Sequence, residues 1–481
     1  MLGLLPIVTL EVGLRIAGYR GTAAIDPYVD LHRLEPLFVS TGSVDDYQQF
    51  AIDDSRLHLF RLVRFKLPKP EKTYRVFALG GSTTQGEPFS TETAFPMWLQ
   101  IRLRAMLPSR TVEVINCGGL SYASYRVRAI CEEVLEYEPD LIVVYTAHNE
   151  YLEKRSYASN DAGLVSSLLR WPAANLRSAQ WLGSRFRGSA NRRQETDFTM
   201  MQREVDALLD YQNGLEDYRR SDTWMSGVVE HFAWNVQQMV EGCRRADVPI
   251  VFCLPVANEL DCPPMKYELS PVLADDDVER FTKRFENAVE LNSMGKSVEA
   301  MEQAMLALEL DPQHAGCLFL LGRLAYAAGD FPAAERYLQA AIDNDVCPLR
   351  ATSEIEAALS LVLETNDVAQ VDAGELFAER SKHGIVGDQW LVDHIHPSVA
   401  GHQLLGETIA DTLVASGQIK PEIANSDWQD REQDLRAAHL STLGEDYYHR
   451  GKQRLQGLRL WTQGRAKKLR ITPDTGLESL N

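Results

Sequence analysis

Short apolar runs rich in β-branched residues, recurring between helical stretches, constrain this chain more than any other feature. They read YRVFAL (74–79), VEVIN (112–116), DLIVVYTA (140–147), PIVFCLP (249–255) and VAQVDA (368–373). Most are continuous rather than alternating, which suits strands covered on both faces. Between the first four lie FPMWLQIRLRAML (95–107), YRVRAICEEVLEY (125–137) and TWMSGVVEHFAWNVQQMVEGCRRA (223–246), all with helical character. Strand alternating with helix predicts an α/β protein with a parallel sheet wrapped on both faces. At 481 residues the chain can build a large core without help from disulfides or metals.

The remainder divides by texture. Residues 1–18, MLGLLPIVTLEVGLRIAG, fall short of the roughly 20 clean apolar residues that cross a bilayer. They are expected to be the remnant of a membrane anchor, with an amphipathic helix packed on the protein as the alternative. An N-terminal extension (19–70) precedes the first part of the α/β domain (71–280). That part contains a polar excursion (155–222), read as partly mobile and a candidate lid. Residues 281–346 turn alanine-rich. A shift of 34 residues there aligns Gly295 with Gly329, Ala300 with Ala334, Ala307 with Ala341 and Asp311 with Asp345. That is the tetratricopeptide period, so an inserted pair of helical units is expected, able to take a protein partner and leaning on the main domain or the tail. The second part of the α/β domain (347–420) and a helical C-terminal tail (421–481) complete the chain.

The formal net charge of -19 argues against a protein that grips nucleic acid. The basic clusters at 185–193 and 465–470 read as solvated faces. Cys117, Cys131, Cys243, Cys253, Cys262, Cys317 and Cys347 include no CxxC pair, so they read mainly as small buried apolar residues. Cys253 and Cys262 form the one pair considered for an oxidising compartment. No cofactor and no metal is expected.

LGGSTTQG (79–86) carries the chemistry. A strand ending at Leu79 and turning through Gly80 and Gly81 puts the Ser82 hydroxyl at the carboxyl end of a parallel strand, where open α/β sheets bind ligands. Alone, this stretch reads equally well as a helix cap or a phosphate cradle. A serine nucleophile needs a base, and the base needs an orienting partner. In DHIHP, Asp393 and His396 stand three residues apart, a spacing that lets the carboxylate reach one ring nitrogen while the other faces outward. His394 and His402 lie nearby, and the cluster also admits a metal-site or a purely structural reading. Donors for a negative oxygen come from AHNE (147–150), through Asn149, and from the amides of NCGGLSYAS (116–124).

These four stretches, in this order, resemble the four blocks of the SGNH (GDSL-type) hydrolase superfamily, and the layout is similar to membrane-anchored bacterial members with tetratricopeptide units. The resemblance covers roughly residues 71–155, 248–262 and 347–416. It implies a flavodoxin-like three-layer α/β/α fold and an esterase acting on a small acyl group, with an acylated carbohydrate or lipid as substrate. It implies Ser82 as nucleophile, His396 as base and Asp393 as orienter. The oxyanion donors would be the Ser82 amide, the Ser121 amide and the Asn149 side chain, with Gly118 or Gly119 replacing Ser121 in a shifted register. Two departures stand out. Ser121 and Ala147 occupy positions where the family has glycine, and Glu150 follows the asparagine. A carbohydrate O-acyltransferase with the same residues and a non-catalytic tetratricopeptide scaffold are the alternatives. A membrane-associated, extracytoplasmic or periplasmic location is expected.

Overall fold

The computed structural model describes residues 26–30, 35–157, 199–211 and 213–465. Residues 1–18, most of the polar excursion and both basic clusters, apart from Arg465, lie outside the described residues. Among the described residues no helix is long and apolar enough to cross a membrane.

Ten strands follow in chain order: β1 (Val29–Asp30), β2 (Phe38–Val44), β3 (Tyr47–Ile52), β4 (Arg64–Leu67), β5 (Thr73–Gly80), β6 (Thr111–Gly118), β7 (Leu141–Tyr145), β8 (Thr199–Met200), β9 (Ile250–Leu254) and β10 (Ala369–Asp372). The five apolar runs of the sequence form one parallel sheet ordered β10-β9-β7-β5-β6. Counted from β5, this is the order 2-1-3-4-5 of flavodoxin-like sheets, whose switch point flanks the first strand. Every carboxyl end therefore opens on one edge. The N-terminal extension contributes the antiparallel sheet β2-β3-β4, fastened by the Leu37 and Phe38 N–H groups donating to the Glu133 carboxylate.

The helices are α1 (Ser82–Gln85), α2 (Phe95–Met106), α3 (Ser124–Val134), α4 (Asp222–Ala246), α5 (Asp275–Ser293), α6 (Ser297–Leu308), α7 (Ala315–Ala328), α8 (Phe331–Asp343), α9 (Ser353–Thr365), α10 (Ala373–Ala378), α11 (Val399–Ala415), α12 (Asn425–Leu440) and α13 (Glu445–Arg465). The continuous apolar strands are explained by where their side chains go. Phe77 and Leu79 of β5 pack with Val127 of α3, Phe232 of α4 and Leu359 of α9. Val76 and Ala78 pack on the opposite face with Leu99 of α2 and Leu405 of α11. With both faces buried, apolar residues dominate the strands, and each large aliphatic side chain contributes about 1.5–3 kcal/mol.

The alanine-rich insertion forms two helical hairpins, α5–α6 and α7–α8. Residues 34 apart take equivalent places: Gly295 and Gly329 both follow a helix with left-handed backbone (φ 75° and 84°), and Ala300, Ala334, Ala307 and Ala341 are all buried. Asp311 accepts from Ser270 N, and Asp345 accepts from Met265 N and Lys266 N, so each fixes the chain entering the insertion. The second hairpin rests on the main domain, with Arg323 donating to Leu260 O and Asp261. Helix α9, for which the sequence reading made no provision, covers the sheet beside α4. All seven cysteines are free, Cys253 and Cys262 included, and all but Cys262 are buried.

Candidate active site

β5 ends at Gly80, and the chain turns through Gly81 into the single turn α1, whose first residue is Ser82. Both glycines are needed for space. A Cβ on Gly80 would stand 2.0 Å from Tyr145 O and 2.2 Å from Thr84 Oγ1, and one on Gly81 would stand 2.6 Å from Asn149 Nδ2. The Ser82 amide occupies the first helical position, where a helix leaves its N–H without an internal partner.

The DHIHP loop precedes α11 and is closed by Val392 N donating to His396 O at 2.9 Å. Within it, Asp393 Oδ1 accepts from Ile395 N (2.9 Å) and His396 N (2.8 Å), which leaves Oδ2 for the imidazole. His396 Nδ1 lies 2.7 Å from Asp393 Oδ2, and His396 Nε2 lies 2.8 Å from Ser82 Oγ. Residues 314 positions apart in the chain thus form one continuous hydrogen-bonded line. Burial pushes the Asp393 carboxyl up, but the neighbouring His396 and His394 and the bonds from His396 outweigh it and hold the group well below the usual carboxylate range. Burial lowers His396, yet Asp393, with a smaller share from Glu87, lifts it above its ordinary value. Such a pair keeps its carboxylate charged and favours an imidazolium.

The other histidines of this region make no hydrogen bond in the line, although His394 Nδ1 lies 3.6 Å from Asp393 Oδ1. Burial drives His394 down to about 4 and His402 down to about 3, so both are neutral. His402 Nδ1 accepts from Phe95 N at the start of α2, a structural bond. Among the described residues no group of three or more His, Cys, Asp or Glu is arranged to hold a metal ion.

The candidate oxyanion donors meet at the same edge. The Asn149 side chain is 8% exposed and donates one Nδ2 hydrogen to Tyr122 O (3.1 Å), leaving the second available. In the turn after β6, the N–H groups of Gly118, Gly119 and Leu120 are already given to Asn116 Oδ1, Gly80 O and Leu59 O. Gly118 and Gly119, the donors of the shifted register, thus spend their N–H groups inside the protein, whereas the N–H groups of Ser121 and Ala123 make no hydrogen bond among the described residues. Ser121 has φ 61° and Ala147 has φ 97°. The backbone keeps the left-handed path that favours glycine although neither residue is glycine.

Sequence reasoning passed over two further contributors. Arg459 of α13 donates through Nε and Nη2 to Val392 O (3.3 and 3.0 Å), one residue before Asp393. Nothing in its local sequence signals this. Glu150, noted only as a departure, is fully buried and binds Ser124; an acid directly after the asparagine of a post-strand turn was the signal.

No family model matches the chain, and no curated protein matches it. Solved structures do. One is described as a putative lipolytic protein of the G-D-S-L family from Desulfitobacterium hafniense, at 11% identity and TM-score 0.31, covering 70% of this chain and 99% of that one. A lipase/acylhydrolase from Enterococcus faecalis matches at 12% identity and TM-score 0.31, covering 73% and 100%. The acetylxylan esterase Axe2 from Geobacillus stearothermophilus matches at 11% and 0.31, covering 71% and 94%. The strand order of the sheet, with Ser82, Asn149, Asp393 and His396 gathered at its carboxyl edge, gives this chain the flavodoxin-like α/β/α fold that the SGNH resemblance implies.

Proposed function

We propose that the protein is a serine ester hydrolase of the SGNH superfamily that cleaves a small acyl group through an acyl-enzyme at Ser82. The observation that carries this reading is the line Ser82 Oγ, His396, Asp393, with separations of 2.8 and 2.7 Å. His396 Nε2 takes the Ser82 proton as Oγ attacks the ester carbonyl, and Asp393 stabilises the imidazolium through Nδ1. The carbonyl oxygen becomes an oxyanion facing Ser82 N, Ser121 N and Asn149 Nδ2. Collapse breaks the bond to the alcohol, which leaves with the proton from His396. Water, deprotonated by the same histidine, then attacks the acyl-serine, and Ser82 recovers its proton as the acid departs.

The test uses 4-nitrophenyl acetate and a fluorophosphonate. Ser82→Ala and His396→Ala are expected to lower turnover by on the order of 10⁴-fold or more while the fold is retained, because triad members act as a unit. Wild type is expected to be labelled at Ser82. An unchanged rate in folded Ser82→Ala, or no labelling, leaves the scaffold reading in its place. Repeating the assay with a carbohydrate acceptor separates the remaining alternative: acceptor-dependent ester product identifies an O-acyltransferase, and free acetate alone a hydrolase.

A further inference from the structure

The two turns that bring the second and third oxyanion donors together are poorly suited to hold themselves. One carries Ser121 at φ 61° and the other Ala147 at φ 97°, and such positions persist only where surrounding contacts over-determine them. Those contacts converge on Glu150. Its carboxylate accepts from Ser124 N (2.8 Å) and from Ser124 Oγ (2.9 Å), and both residues are fully buried. Ser124 opens α3, whose N-cap residue Ala123 provides no side-chain bond, so an acid from the turn after β7 caps the helix that follows the turn after β6. The backbone of the same residue is held from the other side. Glu150 O accepts from Arg155 Nη2, Arg155 Nη1 lies 3.1 Å from His231 Nδ1, and His231 Nε2 lies 3.1 Å from Asp26 Oδ2. Adjacent to Glu150, Asn149 reaches back to Tyr122 O.

We propose that Glu150 is a positioning residue that sets the gap between two oxyanion donors, the Ser121 amide and the Asn149 side chain. It touches no reacting atom. It acts by tying the donor turns to each other at Ser124, while the buried line from Arg155 to Asp26 keeps the turn after β7 from sliding along the sheet edge. The Glu150 carboxylate reaches from the turn after β7 to the helix start that follows β6, the strand on the other side of β5. The inference rests on Ser82 being the nucleophile.

The test measures kcat and KM for 4-nitrophenyl acetate in wild type, Glu150→Gln, Ser124→Ala and Asn149→Ala, and in Glu150→Gln combined with Asn149→Ala. A displacement of 1 Å in a positioned group costs about 10²-fold in rate, so Glu150→Gln is expected to lose about 10²-fold in kcat with KM within about twofold. Ser124→Ala keeps the amide half of the clamp and is expected to lose about tenfold; it decides the matter if Glu150→Gln does not fold. In the Asn149→Ala background, Glu150→Gln is expected to cost no more than about threefold further, because the donor it positions is already gone. A purely structural role predicts full additivity with Asn149→Ala and a loss seen in Tm but not in kcat; either result overturns the inference. Unchanged kcat in folded Glu150→Gln, with wild type active and labelled at Ser82, sinks this inference alone. Wild type that neither turns over nor labels removes it together with the hydrolase reading.

Discussion

Ala147 is a small residue in a backbone conformation that costs of order 1–3 kcal/mol, and it lies fully buried against the sheet core. Replacing it by glycine removes that strain but gives up a buried methyl worth about 0.8 kcal/mol and some chain entropy. The terms nearly cancel, so Ala147→Gly is expected to change unfolding free energy by less than about 1 kcal/mol. Ala300, equally buried but inside α6, has no strain to release, and Ala300→Gly is expected to lose about 2 kcal/mol from helix propensity and burial together. Urea unfolding of both variants checks this; equal losses would show that the turn at Ala147 is relaxed. At this scale the sequence named Ser82, Asp393 and His396 by type and order, and the structure places them within hydrogen-bond distance of one another. The conformation of Ser121 and Ala147 was not legible, because the contacts that hold them come from Tyr122, Ser124 and Arg155 and appear only after the sheet edge is assembled.

The C-terminal helix α13, which carries no catalytic pattern, lies across the segment after Ser82 and the one before Asp393. Tyr447 Oη is 2.8 Å from Thr93 Oγ1, Arg454 Nε donates to Pro88 O at 2.6 Å, and Gly451 leaves room for the Phe89 ring. These residues brace the segment after Ser82, while Arg459 braces the one before Asp393. Arg459→Ala is expected to lower kcat about tenfold, short of the roughly 10²-fold that a full 1 Å displacement costs, with little change in KM. A drop in Tm with unaltered kcat would reduce α13 to packing. Element existence was readable from periodicity for the sheet and its first helices. The partner face of α13 was not, because Arg454 and Arg459 meet backbone carbonyls, which leave no imprint on side-chain spacing.

At the scale of the molecule, a partly open cavity of about 280 Å³ lies between the ends of β9 and β10 and the helices α8 and α9. Glu259, Glu356 and Asp372 line it. Burial, with Asp372 and Glu259 nearby, lifts Glu356 to about 8, and burial with Glu335 nearby lifts Glu259 to about 7. A carboxyl raised on folding binds its proton more tightly in the native state, so its contribution is fully present below the unfolded value near 4.3 and is lost as pH rises through the folded one. Glu356→Gln removes that dependence. It is expected to match wild type in Tm near pH 4.5 and to exceed it progressively up to about pH 8 and beyond, in scanning calorimetry across that range. A difference that is flat with pH would show Glu356 to be solvated.

The sequence by itself determined the fold class, because continuous apolar strands between amphipathic helices have one good way to bury both faces, and it determined the order of the chemical groups along the chain. It also exposed the repeat, since a period of 34 survives in small residues wherever helices approach closely. Only the tertiary structure brought His396 to Ser82, bound the N–H groups of Gly118 and Gly119 inside the protein, and joined Glu150 to Ser124 and Arg459 to Val392. Those outcomes depend on distances of 2.8 to 3.3 Å between residues far apart in the chain. Hydrogen bonds act over such distances and weaken steeply beyond them, so local spacing fixes the candidates and the packed sheet edge selects among them.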